Sequence, residues 1–213
     1  MSTTAAAAAA IYLVHLNPMT NAHESIISTL KKDYSVYIFP VRFIKDGQEV
    51  NTKSFPFSYP IRKQMVESVF GDSVAVLPDY TFYAPYNKYM PPLLSSRSWE
   101  LRNQIITQIN EERFVSYTGD KAERLMLKAY RLNPLKADRL EVSASSIRVK
   151  LYQQVVEGDS DEEWREKVPE AVAEIIKKNW NIVDKFARME DSTTRVMGMK
   201  FPKEGYKSSS RFL

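Results

Sequence analysis

The chain has no cysteine among its 213 residues, which removes disulfides and thiolate metal sites together and makes a reducing compartment, the cytoplasm, the expected setting. No apolar run approaches the ~20 residues that a membrane span needs, so no membrane partner is expected. The opening Met1-Ser2-Thr3-Thr4 and the alanines from Ala5 to Ala10 lack the basic n-region of a secretory signal, and the apolar character ends at His15 and Asn17. Residues 1–9 are therefore expected to form a disordered leader. Blocks of like charge are missing too. Lys and Arg number 30 against 26 Asp and Glu, and the resulting net charge of +4 is dispersed: it admits anionic ligands, while neither a continuous basic face nor an RNA-binding module points to nucleic acid. There is no internal repeat. What is present, 44% hydrophobic and 26% charged residues, suits an ordinary soluble globular domain with ample material for a core.

The order of the apolar segments then suggests an architecture. Ile11-Tyr12-Leu13-Val14 reads as a short, doubly buried strand. From Asn21, Ile26, Ile27 and Leu30 recur at helical spacing. Val36 to Phe39 is a second strand, followed by a polar loop through Asp46-Gly47. Ile61, Met65, Val66 and Val69 mark a helix that Gly71 stops, and Val74 to Leu77 is a third strand. Phe114 to Tyr117 is a fourth strand, and a short fifth lies near Leu140. This alternation predicts an α/β fold: a Rossmann-like open parallel sheet with right-handed crossovers and helices on both faces. Helices over Ile147 to Val156 and Glu162 to Lys178 follow, with a break expected at Pro169. Residues 79–96 interrupt the rhythm with five tyrosines or phenylalanines and three prolines, and are expected to be a packed aromatic insertion. The domain is expected to occupy residues 10–186, and residues 187–213, which contain Ser, Lys and Gly, to be a flexible tail.

Two distant segments carry the chemistry. Leu16-Asn17-Pro18-Met19-Thr20-Asn21-Ala22-His23 leaves the first strand and puts a histidine in the first turn of a helix. Ser143-Ala144-Ser145-Ser146-Ile147-Arg148 is a hydroxyl cluster followed by an arginine, again opening a helix. In an open parallel sheet, ligands bind at the carboxyl ends of the strands, and free N–H groups at helix N-termini face anions there. His23 and Thr20 can donate to phosphate oxygens, Ser143, Ser145 and Ser146 can do the same from the second helix start, and Arg148 offers a bidentate fork. His15 stands at the strand end. Such an inventory suits a nucleoside triphosphate and chemistry that needs only positioning and charge stabilisation, such as nucleotidyl transfer at an α-phosphate. An acceptor phosphate that is already ionised needs no general base.

The first segment resembles the nucleotidyltransferase signature that ends in His-x-Gly-His, and the second resembles its Ser-Ser-Thr-x-Ile-Arg companion. Thr20-Asn21-Ala22-His23 is similar to the Thr-x-Gly-His variant of bacterial phosphopantetheine adenylyltransferases. Elsewhere the chain is closer to archaeal-type nicotinamide-nucleotide adenylyltransferases. Phe55-Pro56-Phe57-Ser58 with Arg62 and Met65 is similar to their Asn-Pro-Phe-Thr…Glu-Arg…Met stretch. Tyr117-Thr118-Gly119-Asp120 with Arg124-Leu125 resembles their strand-turn-helix, and Trp164 to Val172 their Trp-x-x-x-Val-Pro-x-x-Val. The likeness runs in order over roughly residues 10–186. It departs at Thr20, where that branch has its first histidine, at Ala22, its motif glycine, and at His15, its opening arginine.

The resemblance implies transfer of AMP from ATP, taken with Mg2+, to a small phosphorylated acceptor, nicotinamide mononucleotide first, with release of pyrophosphate. It assigns His23, Thr20 and Arg148 to catalysis, and His15, Leu16, Asn17, Ala22, Ser143, Ser145 and Ser146 with Arg148 to the nucleotide. Lys53, Arg62, Trp99 and Asp120 fall to the acceptor, Asp120 with a helix cap as its competing role, and no metal ligand is assigned to the protein itself. The alternatives are another phosphorylated acceptor, CTP as donor, or a nucleotide-binding module without catalysis. A homo-oligomer is compatible with this reading.

Overall fold

The computed structural model describes residues 8–119, 121–135, 143–158 and 162–206. The chain runs β1 (Ala8–Val14), α1 (Asn21–Leu30), β2 (Ser35–Pro40), β3 (Arg42–Lys45), β4 (Gln48–Glu49), α2 (Tyr59–Phe70), β5 (Ala75–Val76) and β6 (Thr81–Tyr83). It continues through α3 (Ser96–Thr107), β7 (Arg113–Ser116), α4 (Lys121–Ala129), α5 (Ala144–Glu157), α6 (Glu170–Lys178), α7 (Trp180–Ala187), β8 (Thr193–Val196) and β9 (Met199–Pro202). The central sheet has the order β5-β2-β1-β7 with every pairing parallel, Ile11 lying opposite Tyr37 on one side and Ser116 on the other.

Period-two alternation explains why this sheet needs cover on both faces. Ala10 and Tyr12 of β1, with Val36 and Ile38 of β2, enter one core, built with α1, α2, α5, α6, α7 and the fully buried Trp164. Ala9 and Ile11, with Tyr37 and Phe39, enter the other, built with α3, α4 and the aromatic insertion. The expected α/β architecture with helices on both faces is what the chain adopts. Strand β1 lies between β2 and β7, so the strand order reverses there, and the carboxyl ends of β1 and β7 form the mouth of a ligand crevice.

Several local expectations are met. α2 ends at Gly71, whose φ of 54° lies in the left-handed region that Gly adopts without cost. The helical stretch after Glu162 breaks at Pro169: a 3-10 turn over Glu163–Lys167 precedes it, and α6 starts at the next residue.

Others are corrected. β1 begins at Ala8, so the leader does not extend to residue 9. Ala9 and Ala10 are fully buried, and close pairing in a central strand outweighs the weak strand preference of alanine. The polar loop through Asp46-Gly47 is the tip of the β3–β4 hairpin, both tip residues having positive φ, as a two-residue primed turn requires. The insertion 79–96 contains β6, which extends β3 in a second, three-stranded sheet. Where a flexible tail is expected from residue 187, α7 ends at Ala187 and an antiparallel β8–β9 hairpin follows over residues 193–202. Its anchor is Phe201, 1% exposed and set edge-on to Phe43 and Phe82 at 5.6 and 5.7 Å between centroids. An isolated aromatic among polar residues does not announce partners that lie more than a hundred positions away. The fifth strand near Leu140 falls outside the described residues, as do residues 1–7 and 207–213.

Candidate functional site

The turn after β1 is built before it is functional. Leu16 has a φ of +49° and is fully buried, a costly conformation for a branched side chain that only its surroundings can hold. Arg62, itself 1% exposed, donates from Nη1 to the His15 carbonyl and to the Val41 carbonyl, each at 2.8 Å, while its Nη2 is paired with Glu49 at 2.8 Å. From the other side Arg148 donates to the Asn17 carbonyl. The Asn17 side-chain oxygen accepts the Phe57 N–H at 2.8 Å. Two guanidinium groups and one side-chain amide thus fix His15 and Asn17 on either side of Leu16.

The turn delivers Thr20 to the N-cap of α1 and His23 to its third position, where they form a capping box with histidine in the place usually taken by Glu. The Thr20 N–H donates to His23 Nδ1 at 3.0 Å, and the Thr20 hydroxyl lies 3.0 Å from the same nitrogen. A ring nitrogen that accepts a backbone N–H carries no proton, so the proton of the neutral ring sits on Nε2. Burial pushes the His23 pKa down to about 4, so near neutral pH His23 is an uncharged donor.

His23 lines a cleft of about 730 Å³ at the carboxyl ends of β1 and β7. The same cleft is lined by Ala22, His15, Ser143, Ser145 and Arg148. The N-termini of α1 and α5 therefore converge on one space. Ser143 is the N-cap of α5, accepting the Ser145 N–H at 3.2 Å, and the Ser145 hydroxyl meets Arg148 Nη2 at 3.0 Å. The His15 ring is stacked on Phe55 at 4.7 Å and 7°, open to the cleft. The surrounding protein, and then the cations of Arg62, Arg148 and Lys200, hold its pKa down to about 3.

Not every residue assigned from sequence reaches the cleft. Thr20 is fully buried with its hydroxyl committed to His23, and Leu16 and Asn17 are buried in the turn, so all three shape the site from behind. Ser146 is exposed and its hydroxyl donates to the Ser143 carbonyl. Of the residues assigned to the acceptor, Lys53, Arg62 and Trp99 are placed elsewhere. Lys53 Nζ donates to the carbonyls of Ala187 and Met189 at 2.9 and 3.0 Å, at the end of α7, where the helix dipole favours a cation. Arg62 lies beneath the turn. Trp99 donates to the Leu93 carbonyl at 3.0 Å and rests edge-on against Tyr130 at 5.0 Å, inside the aromatic packing. Asp120 falls outside the described residues.

Other cleft residues belong to elements that sequence reasoning does not bring to the site. Thr118, just beyond β7, donates to Glu123 of α4 at 2.5 Å, and both line the cleft. The hairpin supplies Arg195, Met199 and Lys200 as a facing wall. Among the described residues no group of three or more His, Asp or Glu side chains is placed to hold a metal ion, and no helix is long and apolar enough to cross a membrane.

No protein-family model and no curated protein sequence matches the chain. Among solved structures it is similar to a bifunctional NMN adenylyltransferase/ADP ribose pyrophosphatase from Francisella tularensis, complexed with AMP and Mn ion, at 14% identity and a TM-score of 0.58 over 85% of this chain. That match takes in 52% of the Francisella chain, so the present chain spans about half its length. A second similar structure is the nicotinic acid mononucleotide adenylyltransferase of Plasmodium falciparum complexed with NaAD, at 16% identity and a TM-score of 0.45, covering 83% of this chain and 98% of that one. At 14% identity the Francisella likeness establishes a shared α/β fold with a parallel central sheet.

Proposed function

We propose that the chain is a nucleotidyltransferase that moves AMP from ATP to a small phosphorylated acceptor, nicotinamide mononucleotide first. The observation that carries the reading is the convergence of His23, Arg148 and the N-termini of α1 and α5 on one cleft at the sheet's switch point. An ionised oxygen of the acceptor phosphate attacks the α-phosphorus, the bond to the bridging oxygen breaks, and pyrophosphate leaves. Charge grows on the departing oxygens. His23 Nε2–H and the N–H groups of Arg148 not held by Asn17 and Ser145 stabilise that charge, and Thr20 acts by holding the His23 ring in its tautomer. The cleft offers cations rather than a carboxylate cage, so a divalent ion enters as part of the Mg2+–ATP substrate. The Francisella structure holds a divalent Mn ion together with AMP.

The test is pyrophosphate release from ATP with nicotinamide mononucleotide. Losing one donor to the developing charge costs about 10²–10³ in rate, the expected effect of His23→Ala and of Arg148→Ala. Near-wild-type turnover in either variant overturns the site assignment. A panel with CTP and other phosphorylated acceptors fixes donor and acceptor, and turnover with CTP but not ATP removes the adenylyl reading.

A second reading, a nucleotide-binding module without catalysis, has one observation in its favour. The Ala22 methyl stands on the cleft where related motifs have glycine. ATP binding measured by calorimetry with no turnover on any acceptor selects it.

A further inference from the structure

The β8–β9 hairpin lies outside every motif that ties this chain to nucleotide chemistry, yet it brings charge into the cleft. Among the described residues, the ionisable groups on the cleft surface other than the two histidines and the tyrosines are Arg148, Arg195 and Lys200 against Glu123. Three cations against one carboxylate, which also accepts the Thr118 hydroxyl, leave the cleft surface net positive.

Lys200 is placed rather than loose. Its Nζ donates to Ser54 Oγ at 2.8 Å, and that hydroxyl donates to Asp191 at 2.7 Å. The next residue is Phe201, whose ring is locked into the aromatic core. Burial and the neighbouring Arg148 and Arg195 hold the Lys200 ammonium below the usual lysine range, opposed by Asp191. Cations gathered on one cleft surface repel one another, and a bound anion relieves that repulsion.

We propose that the hairpin is the second cationic wall of the phosphate site, with Lys200 and Arg195 binding phosphoryl oxygens across the cleft from Arg148. The proposal rests on the reading of the cleft as a nucleotidyl-transfer site and deepens it. The phosphoryl group belongs either to the polyphosphate of the donor or to the acceptor, and both present multiply charged oxygens to the same ammonium and guanidinium.

Calorimetric titration of the full chain with tripolyphosphate, ATP and nicotinamide mononucleotide separates these sources. Removing one charge-assisted hydrogen bond from the wall weakens binding about tenfold, so Lys200→Gln and Arg195→Gln are each expected to lose about that factor and the double variant about a hundredfold. Lys200→Arg keeps near-wild-type affinity. Lys203→Gln, which lies beyond the cleft wall, leaves affinity unchanged. Losses confined to tripolyphosphate and ATP assign the wall to the donor, and a loss confined to nicotinamide mononucleotide assigns it to the acceptor. Hydrogen exchange at Phe201 reports whether the hairpin stays seated. Should the glutamine variants unseat it, Lys200→Met and Arg195→Met repeat the measurement with the aliphatic stems kept. If the charge-neutral double variant binds all three ligands like wild type while Arg148→Ala does not, the hairpin proposal is overturned and the transfer site stands. If wild type binds none of the three, the reading of the cleft falls, and the proposal with it.

Discussion

The turn from His15 to His23 and the hairpin from Thr193 to Pro202 face the same cleft and are held in opposite ways. The turn is over-determined: two buried guanidinium groups grip its carbonyls, Asn17 ties it to Phe57, and Leu16 is locked at positive φ. The hairpin is seated by Phe201 with Val196 and Met199 packed beside it, by a chain of polar contacts through Ser54 and Asp191, and by the Tyr86 and Asn87 N–H groups donating to the carbonyls of Gly205 and Tyr206 just beyond it. Its tip residue Met197 is 69% exposed. The difference teaches how each wall is fixed: the wall read as gripping the phosphates under attack is held by buried charged groups, and the wall facing it by aromatic packing and a polar chain that leave its tip exposed.

The sharpest way to break this contrast is at Arg148, which serves both the turn and the cleft. Arg148→Ala is expected to lower turnover by about 10²–10³, and also to destabilise the fold by about 1–3 kcal/mol because the Asn17 carbonyl is left unpaired. His23→Ala is expected to lose comparable turnover with a smaller loss of stability, so thermal unfolding beside pyrophosphate release separates the two roles. Phe201→Ala comes next. Emptying its site removes about 3–5 kcal/mol of packing, and the loss is expected as hydrogen exchange confined to the hairpin while β1 and the turn remain protected. Global unfolding in its place would show that the two walls are one cooperative unit.

A pH series sharpens the comparison further. The folded pKa of His23, about 4, lies below the ordinary value of 6.5, so as pH falls the unfolded chain takes up a proton before the folded one. Stability relative to a His23→Asn variant is therefore expected to decline as pH falls from about 6.5 toward about 4, and then to level off. A flat difference through that window would mean that burial does not hold His23 neutral. The smallest effect is expected at Ala22→Gly, a cost in stability of about 0.5–1 kcal/mol from the added backbone freedom. An accompanying rise in turnover would place the Ala22 methyl against a phosphate.

Local patterns carry much of this in the sequence. The continuous apolar runs of β1 and β2 and the stop at Gly71 are local signals, and they are enough to indicate the parallel core. His23, Ser143, Ser145 and Arg148 are legible because helix starts and strand ends are where backbone geometry alone places anions. What escapes depends on distant partners. Phe201 reads as a lone aromatic until Phe43 and Phe82 surround it, so in sequence the hairpin and its two cations look like a tail. Lys53 and Arg62 fall to phosphates in sequence because a cation's preference among nearby acceptors is decided in space. Here the acceptors are backbone carbonyls at the end of α7 and in the turn. Thr20 reads as a donor to ligand because nothing in the spacing reveals that its hydroxyl faces the ring of His23.

The most direct test of the central claim is a crystal structure of the chain with a non-hydrolysable ATP analogue and Mg2+. The expected result is a triphosphate lying between His23 and Arg148, with a phosphate oxygen within hydrogen-bond distance of His23 Nε2 and the N-terminus of α5 facing another. A nucleotide seated away from these residues, or His23 Nε2 turned from the phosphates, would contradict it.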